Sequence, residues 1–537
     1  MKKNNIIKYL LFVVSGSILS FVLTNLGYGS YRIYSSILTF IILSVFIYFN
    51  KNTFEKVKNN EKNVKCISVI YSIITSFFSV GLFFNWNYAI DGKIHSLLIS
   101  GKIPNTLVMI GLLIGCFYFL YILFNIVFNY VVSWIKKFCK RMTLTEKRYF
   151  IISTVFFSLL VIIIYSFTSV FYLPKLNGNI QAFDVIYSSD TGAHGILQSY
   201  VMNNAVENDL RQPLFAIFSY CFMIVPYLLS KMIGVESCFY ILSAIIQVFL
   251  LSVISVIFTR LMNLDDKKSI IFYLIYNLSY PYILFSLNME QYIFGLFWLI
   301  MFIYSKYNDD ECKFMFCAST GSLLTNGILF PFISKEKKIK KCIIDYCITG
   351  LYFIGLICIF GQLPLLIDIA KGTNHLSNYV ATDLSSTKYY QFSHFITNCF
   401  IAPSKYIVVE IFDHPSFQLP IYSSFDYMGF VIFILCFIGF FRSDKSFFDK
   451  VCLFWMFFSI FIMIVLGYGT NENGLILYSL YFGWAYVCLL FRLIESIKNK
   501  YIFLIVSIIC IVVLILLNSK GLYDLLKFAL TYFDRIL

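Results

Sequence analysis

The sequence predicts an all-α, polytopic integral membrane protein, and three observations carry that prediction. Hydrophobic residues make up 59% of the 537-residue chain and charged residues only 13%, with a mean hydropathy of +0.80. A soluble domain carries roughly 45–50% apolar residues and has no use for more. The apolar residues also fall into runs of spanning length, about 20 residues each. Finally, the basic residues gather in the short gaps between those runs, at 51–65, 136–148, 260–268, 334–341, 442–450 and 492–500. That placement is the mark of cytoplasmic loops.

Taken in order, spans are expected near 6–26, 33–50, 66–87, 105–134, 149–172, 237–259, 269–286, 291–305, 342–362, 427–441, 451–467, 475–491 and 501–517. The total is about thirteen crossings. The first run follows Lys2 and Lys3, carries Lys8 near its start and continues to Thr24 with no small-residue cleavage site, so it reads as an uncleaved helix with a cytoplasmic N-terminus. Alternation then puts 173–212 and 363–426 outside as two substantial loops, with a very short outer turn at 287–291. Residues 213–233 are long enough to span, but a crossing there would invert every later basic loop. An element that returns to the outer side or lies in the interface, broken and amphipathic as Pro213 and Pro226 suggest, is expected instead. Residues 314–332, interrupted by Gly321, Asn326, Gly327 and Pro331, are expected to form a re-entrant pair of half-helices. Three segments follow: a four-helix membrane segment (1–148), a central module (149–341) and a C-terminal membrane segment (342–537).

The net charge of +14 does not point to nucleic acid, because no basic stripe is interleaved with aromatics in a polar fold. The basic gaps need anionic lipid headgroups as partners and nothing more. The fifteen cysteines lie almost all inside apolar runs or at cytoplasmic ends and form no C-x-x-C pair, which excludes a disulfide scaffold or a zinc ribbon. The Lys, Ile, Asn, Phe and Tyr bias suits an AT-rich bacterial coding sequence.

Chemistry is expected where polar chain leaves the bilayer. The first outer loop centres on SSDTGAHGILQSY (188–200), in which Asp190 and His194 share one face if the segment is helical. Asp190 also suits a helix N-cap. Glu290 lies in the short turn between two closely spaced apolar runs, where an ionisable group persists only if used or paired. Asp184 is a spare acid, and Glu207-Asn208-Asp209 has an acid-x-acid shape. In the second outer loop His375, His394 and His414 with Asp413 match no ligand spacing, so an acceptor-contacting surface is the milder expectation. Tyr389, Tyr390 and Phe392 could stack on sugar rings.

From Tyr149 to about residue 333 the order of features resembles the C-type glycosyltransferases, the GT-C superfamily. The counterparts are the span 149–172, Asp190 in SSDTGAHG, RQPLF (211–215), the basic turn RLMNLDDKK (260–268), and NLSYPYILFSLNMEQY (277–292) with Glu290. Gln212 stands where a His is common, and Asp190 is followed by Thr where a second acid is common. The resemblance implies transfer of a sugar from a polyprenyl-phosphate-linked donor to a cell-envelope glycan, lipid or protein. Asp190 would be the general base. His194, Arg211 and Gln212, with Lys175 and Lys231 behind them, would hold the donor phosphate. Glu290, the second catalytic candidate, would orient substrate or a basic partner such as Arg211, and Glu207 with Asp209 would hold Mg²⁺ or Mn²⁺.

A lipid-linked oligosaccharide flippase would need charges buried along a pathway, and almost none occur within the spans. A polysaccharide polymerase would use a late outer loop rich in Arg and His, and 363–426 has no Arg. A non-catalytic scaffold is the remaining alternative.

Overall fold

The computed structural model describes residues 3–24, 31–49, 53–90, 105–171, 185–187, 211–310, 312–333, 339–364, 367, 386–411, 414–469 and 473–533. Those residues form a helical membrane protein whose only regular sheet, among the described residues, is one two-stranded hairpin. Eleven helices are long and apolar enough to cross a bilayer, or twelve if one bent pair counts as a single span.

The chain divides into two compact units. The first gathers residues 1–143, 202–216 and 343–373. Its helices are α1 (Lys3–Leu23), α2 (Tyr31–Phe49), the short α3 (Thr53–Asn59), α4 (Lys62–Ile90), α5 (Asn105–Lys140) and α14 (Ile339–Ile359). Small polar side chains let these helices approach closely. On α4 the hydroxyls of Ser68, Ser72, Ser76 and Ser79 donate back to their own helix's carbonyls. Ser20 of α1 and Ser35 of α2 both donate to the Cys358 carbonyl of α14. Gly361 follows at φ +70, its Cα so close to the Leu23–Thr24 peptide that a Cβ would lie 2.4 Å from the Thr24 nitrogen. The unit thus recruits a helix from about 200 positions beyond its own α5, a pairing that crosses the three-segment division expected from the sequence.

The second unit holds 144–201, 217–342 and 374–537. In chain order it comprises α6 (Leu144–Phe167), α7 (Phe215–Ile233), α8 (Glu236–Leu261), α9 (Asp266–Asn277), α10 (Tyr280–Leu287), α11 (Tyr292–Tyr307), α12 (Lys313–Ser322) and α13 (Leu329–Ile333). After them come α15 (Thr387–Asn398), β1 (Ile407–Ile411), β2 (His414–Gln418), α16 (Tyr427–Arg442), α17 (Phe447–Ile460), α18 (Leu477–Glu495) and α19 (Lys500–Tyr532). The spanning windows of α8 and α18 are 72% and 78% buried, against 17% for α19, so α8 and α18 form the centre and α19 the rim. Phe258 of α8 stacks on Trp484 of α18, and Trp455 of α17 donates its indole N–H to the Tyr481 carbonyl.

Ion pairs join the basic connections of this unit at one end. Arg260 donates to both Glu146 oxygens, at 2.8 and 2.7 Å. Lys268 pairs with Glu495, and Arg492 pairs with both Glu495 and Asp449. Asp449 also closes a capping box with Ser446 at the start of α17. Loops 136–148, 260–268, 442–450 and 492–500 are therefore gathered together, as charges expected on one side of a membrane should be.

Three expected spans are shorter or bent. The run 269–286 is split into α9 and α10, bent by 63°. The segments α11 and α16 have 16 residues each. Conversely, 213–233 is not a broken element. It is the continuous helix α7, with Pro226 inside, long and apolar enough to cross. Its Phe218 and Phe222 reach Trp298, and Phe222 also meets Phe294 and Phe297 of α11. Proline removes one backbone bond from a helix, and α7 continues through that loss to Ile233. The expected re-entrant segment is indeed interrupted: α12 ends at Ser322, a 3₁₀ turn spans Leu324–Ile328, and α13 follows.

Candidate functional site

The bend between α9 and α10 has a local cause. Ser279 takes an extended conformation as the N-cap of α10, and Pro281 sits in its first turn, where a missing N–H costs no helical bond. Backbone groups released at the break are taken up by neighbours. Asn518 of α19 donates to the Leu278 and Phe400 carbonyls, at 2.6 and 2.9 Å, and Tyr280 N–H donates to Phe400 O at 3.0 Å. An interrupted span survives in an apolar medium only with such substitutes.

All eight residues of α10 are buried, and they deliver the chain to a buried turn, Asn288-Met289-Glu290-Gln291. Glu290 is only 2% exposed. Its Oε1 accepts from the Gln291 N–H at 2.9 Å, and its own N–H donates to Gln247 Oε1 at 3.0 Å. Gln247, fully buried on α8, also donates to the Asn288 and Phe285 carbonyls. Tyr165 of α6 donates to Leu287 O at 2.7 Å. One turn into α11, the absent side chain of Gly295 makes room for Leu323, whose Cδ1 would lie 2.3 Å from a Cβ there. Asn326 of the 3₁₀ turn donates to the Gly295 and Ser319 carbonyls and accepts from the Tyr481 hydroxyl. Both interrupted elements of the unit therefore converge on the first turn of α11, beside Glu290.

The root of the first outer loop meets the same break. Val185–Tyr187 runs along β2: Tyr187 N–H donates to Phe417 O at 2.8 Å and Phe417 N–H to Val185 O at 2.7 Å. Tyr187 holds φ +52, the left-handed region that a bulky residue rarely adopts. Its hydroxyl lies 3.0 Å from that of Tyr280, and burial pushes its phenol well above the ordinary value. Asp190 follows Tyr187 by three positions. Asp190, His194, Glu207 and Asp209, as well as Lys175 and Asp184, lie outside the described residues.

Arg211 and Gln212 belong to the other unit, in the turn ahead of α7, where Gln212 is buried and its carbonyl accepts from Phe215 N–H. Lys231 is an exposed residue over the Tyr227 ring.

In the second outer loop, His394 is built into a junction between α15 and α16. Its ring stacks on Tyr422 at 3.6 Å, Nε2 lies 3.2 Å from the Ser424 carbonyl, and Nδ1 lies 3.8 Å from Asp426 Oδ2. A carbonyl can only accept, so Nε2 carries the proton. Asp426 is the N-cap of α16, accepting from Met428 N–H and the Thr397 hydroxyl. Burial pulls the imidazole below its ordinary value, against the opposing pull of Asp426 and the Ser424 carbonyl. Burial also pushes the Tyr422 phenol up to about 12. Phe392 is buried against Phe395, so it is core and not a platform for a sugar, whereas Tyr389 is exposed. His414 is buried in β2; His375 and Asp413 lie outside the described residues. Among the described residues no group of three or more His, Cys, Asp or Glu side chains could hold a metal ion.

Reading for titratable residues misses the amides. Gln247, Asn288, Asn326 and Asn518 hold this region together, and their only signal was an amide inside an apolar run, which is costly in hydrocarbon unless satisfied. No family model, no curated protein and no solved structure matches this chain.

Proposed function

We propose that this chain is a membrane glycosyltransferase of the GT-C kind. It takes a sugar from a polyprenyl-phosphate-linked donor and passes it to a cell-envelope glycan, lipid or protein at the outer face of the cell membrane, with the N-terminus cytoplasmic. One observation carries the reading: Glu290, a carboxylate on a turn buried in apolar protein, where a broken span meets the next helix. An acid is kept in such surroundings against a large desolvation cost, which marks function more often than packing. The order of features from Tyr149 to residue 333 adds the resemblance, and the root of the loop bearing Asp190 rests on the same broken span.

In this reading the acceptor hydroxyl attacks the anomeric carbon and its proton passes to Asp190, worth roughly 10²–10⁴-fold in rate. The bond from that carbon to the phosphate oxygen breaks, and the polyprenyl phosphate departs with its electron pair. His194 receives the phosphate charge and Glu290 orients the donor, while Arg211 and Gln212, which the resemblance also offers for the phosphate, belong to the first unit. The resemblance adds Mg²⁺ or Mn²⁺ on Glu207 and Asp209, neutralising charge on the phosphate.

The test is transfer from radiolabelled polyprenyl-phosphate sugars by purified wild type, Asp190→Asn and Glu290→Gln, each checked for monodispersity. Wild-type transfer, lost at least about a hundredfold in both variants, is the expected result. Equal activity in the wild type and both variants sinks the assigned residues. The two interrupted elements beside Glu290 favour one rival, because secondary transporters bind substrate at discontinuous helices. Lipid-linked sugar movement in liposomes without any transfer would establish that rival.

A further inference from the structure

The turn that carries Glu290 has a feature left unused by the chemistry above. Asn288 is fully buried, yet neither its amide nitrogen nor its side-chain oxygen has a hydrogen-bond partner among the described residues. Ser243 of α8 is fully buried as well, and its hydroxyl is likewise without a partner there. Gln247 relates the two residues. It donates to the Asn288 carbonyl at 3.2 Å and accepts from the Glu290 N–H at 3.0 Å, and Ser243 lies one helical turn before it on the same face. Proteins pair nearly all of their buried polar atoms, so each exception needs a reason. Ser243 by its helix position and Asn288 by its carbonyl both adjoin Gln247, which also holds the Glu290 N–H.

The unmet groups have a definite complement. A carboxamide presents both acceptor and donors, and a hydroxyl presents one of each. An anion would satisfy only the donors and would meet the Glu290 carboxylate with like charge. A bare cation would satisfy only the oxygens and leave the amide N–H groups unmet. Neutral groups that both donate and accept satisfy all of them, which are waters in the free protein and the hydroxyls of one sugar ring in the complex. We infer that Asn288 and Ser243 are sugar-contacting residues that bind hydroxyls of the donor's sugar ring beside Glu290, an inference that rests on the glycosyltransferase reading. The turn lies closed on α8, so the sugar enters by displacing it.

A buried group kept for a ligand trades stability for binding, and Asn288→Leu separates the two. The near-isosteric apolar side chain removes the unmet amide. We expect the unfolding temperature in detergent to rise by about 2–4 °C, while KM for polyprenyl-phosphate hexoses rises at least roughly tenfold. Ser243→Ala should raise KM by about two- to fivefold. If Asn288→Leu fails to fold, Asn288→Ala and Ser243→Ala carry the same KM test. Transfer by the wild type with KM unchanged in these variants overturns the inference and leaves the enzyme reading standing. A wild type that shows neither transfer nor thermal shift with any of the lipid-linked sugars overturns both.

Discussion

The serine-lined seam of the first unit and the Glu290 turn of the second both place polar atoms in apolar surroundings, and they treat those atoms in opposite ways. In the seam, Ser68, Ser72, Ser76 and Ser79 bond to carbonyls of their own helix, and Ser20 and Ser35 share the Cys358 carbonyl. These groups are small and satisfied locally, so helices pack closely across them. At the turn the amide of Gln247 is spent on backbone groups, while that of Asn288, fully buried, is unmet among the described residues. Buried polarity that closes on its own helix is structural. At the turn the open amide of Asn288 lies in the segment that carries Glu290, which is what gives it a bearing on function.

The comparison can be broken first at the seam's tightest point. Gly361→Ala forces a side chain onto a left-handed backbone and into the Leu23–Thr24 peptide, so a loss of about 3–5 kcal/mol is expected. It would be read as loss of monodisperse protein, and a folded, thermally unchanged variant would show that the approach of α14 to α1 is looser than drawn. At the turn, Gln247→Leu removes three hydrogen bonds and strands the Glu290 N–H. The expected cost is about 2–4 kcal/mol, the opposite sign to Asn288→Leu at the neighbouring position. Thermal unfolding of the two variants side by side checks that reversal.

A smaller effect is expected at His394. Its folded value lies below the ordinary one, so its contribution to stability is complete above about pH 6.5, where the unfolded chain is also neutral, and is lost as pH falls through the folded value. Wild type should therefore lose more thermal stability on acidification than His394→Gln, and parallel curves would refute the assignment. Smallest of all is Ser72→Ala on the seam, expected within about 0.5 kcal/mol because its hydroxyl bonds only a carbonyl of its own helix. A large loss there would mean the seam's hydroxyls hold neighbouring helices together.

Much of the fold was legible in the sequence because bilayer burial imposes length and polarity on each span separately. Ten expected spans recur as long apolar helices. The gathering of the basic loops was readable in the same way, and Arg260, Lys268 and Arg492 meet carboxylates at one end of the second unit. The break expected at Pro226 is absent, because α7 runs unbroken from Phe215 to Ile233.

What the sequence by itself determined is therefore the class of the molecule, the positions of most helices, and Glu290 as an acid where none should be without use. Each follows from local composition against an apolar solvent, and no partner across the chain need be known. The tertiary structure decided the rest. It joined α14 to helices about 200 or more positions earlier, brought the two interrupted elements to the first turn of α11, and left Asn288 with an open amide. Those outcomes depend on which distant carbonyls and side chains meet, as Asn518 meets Leu278 and Phe400, and no local pattern encodes such meetings.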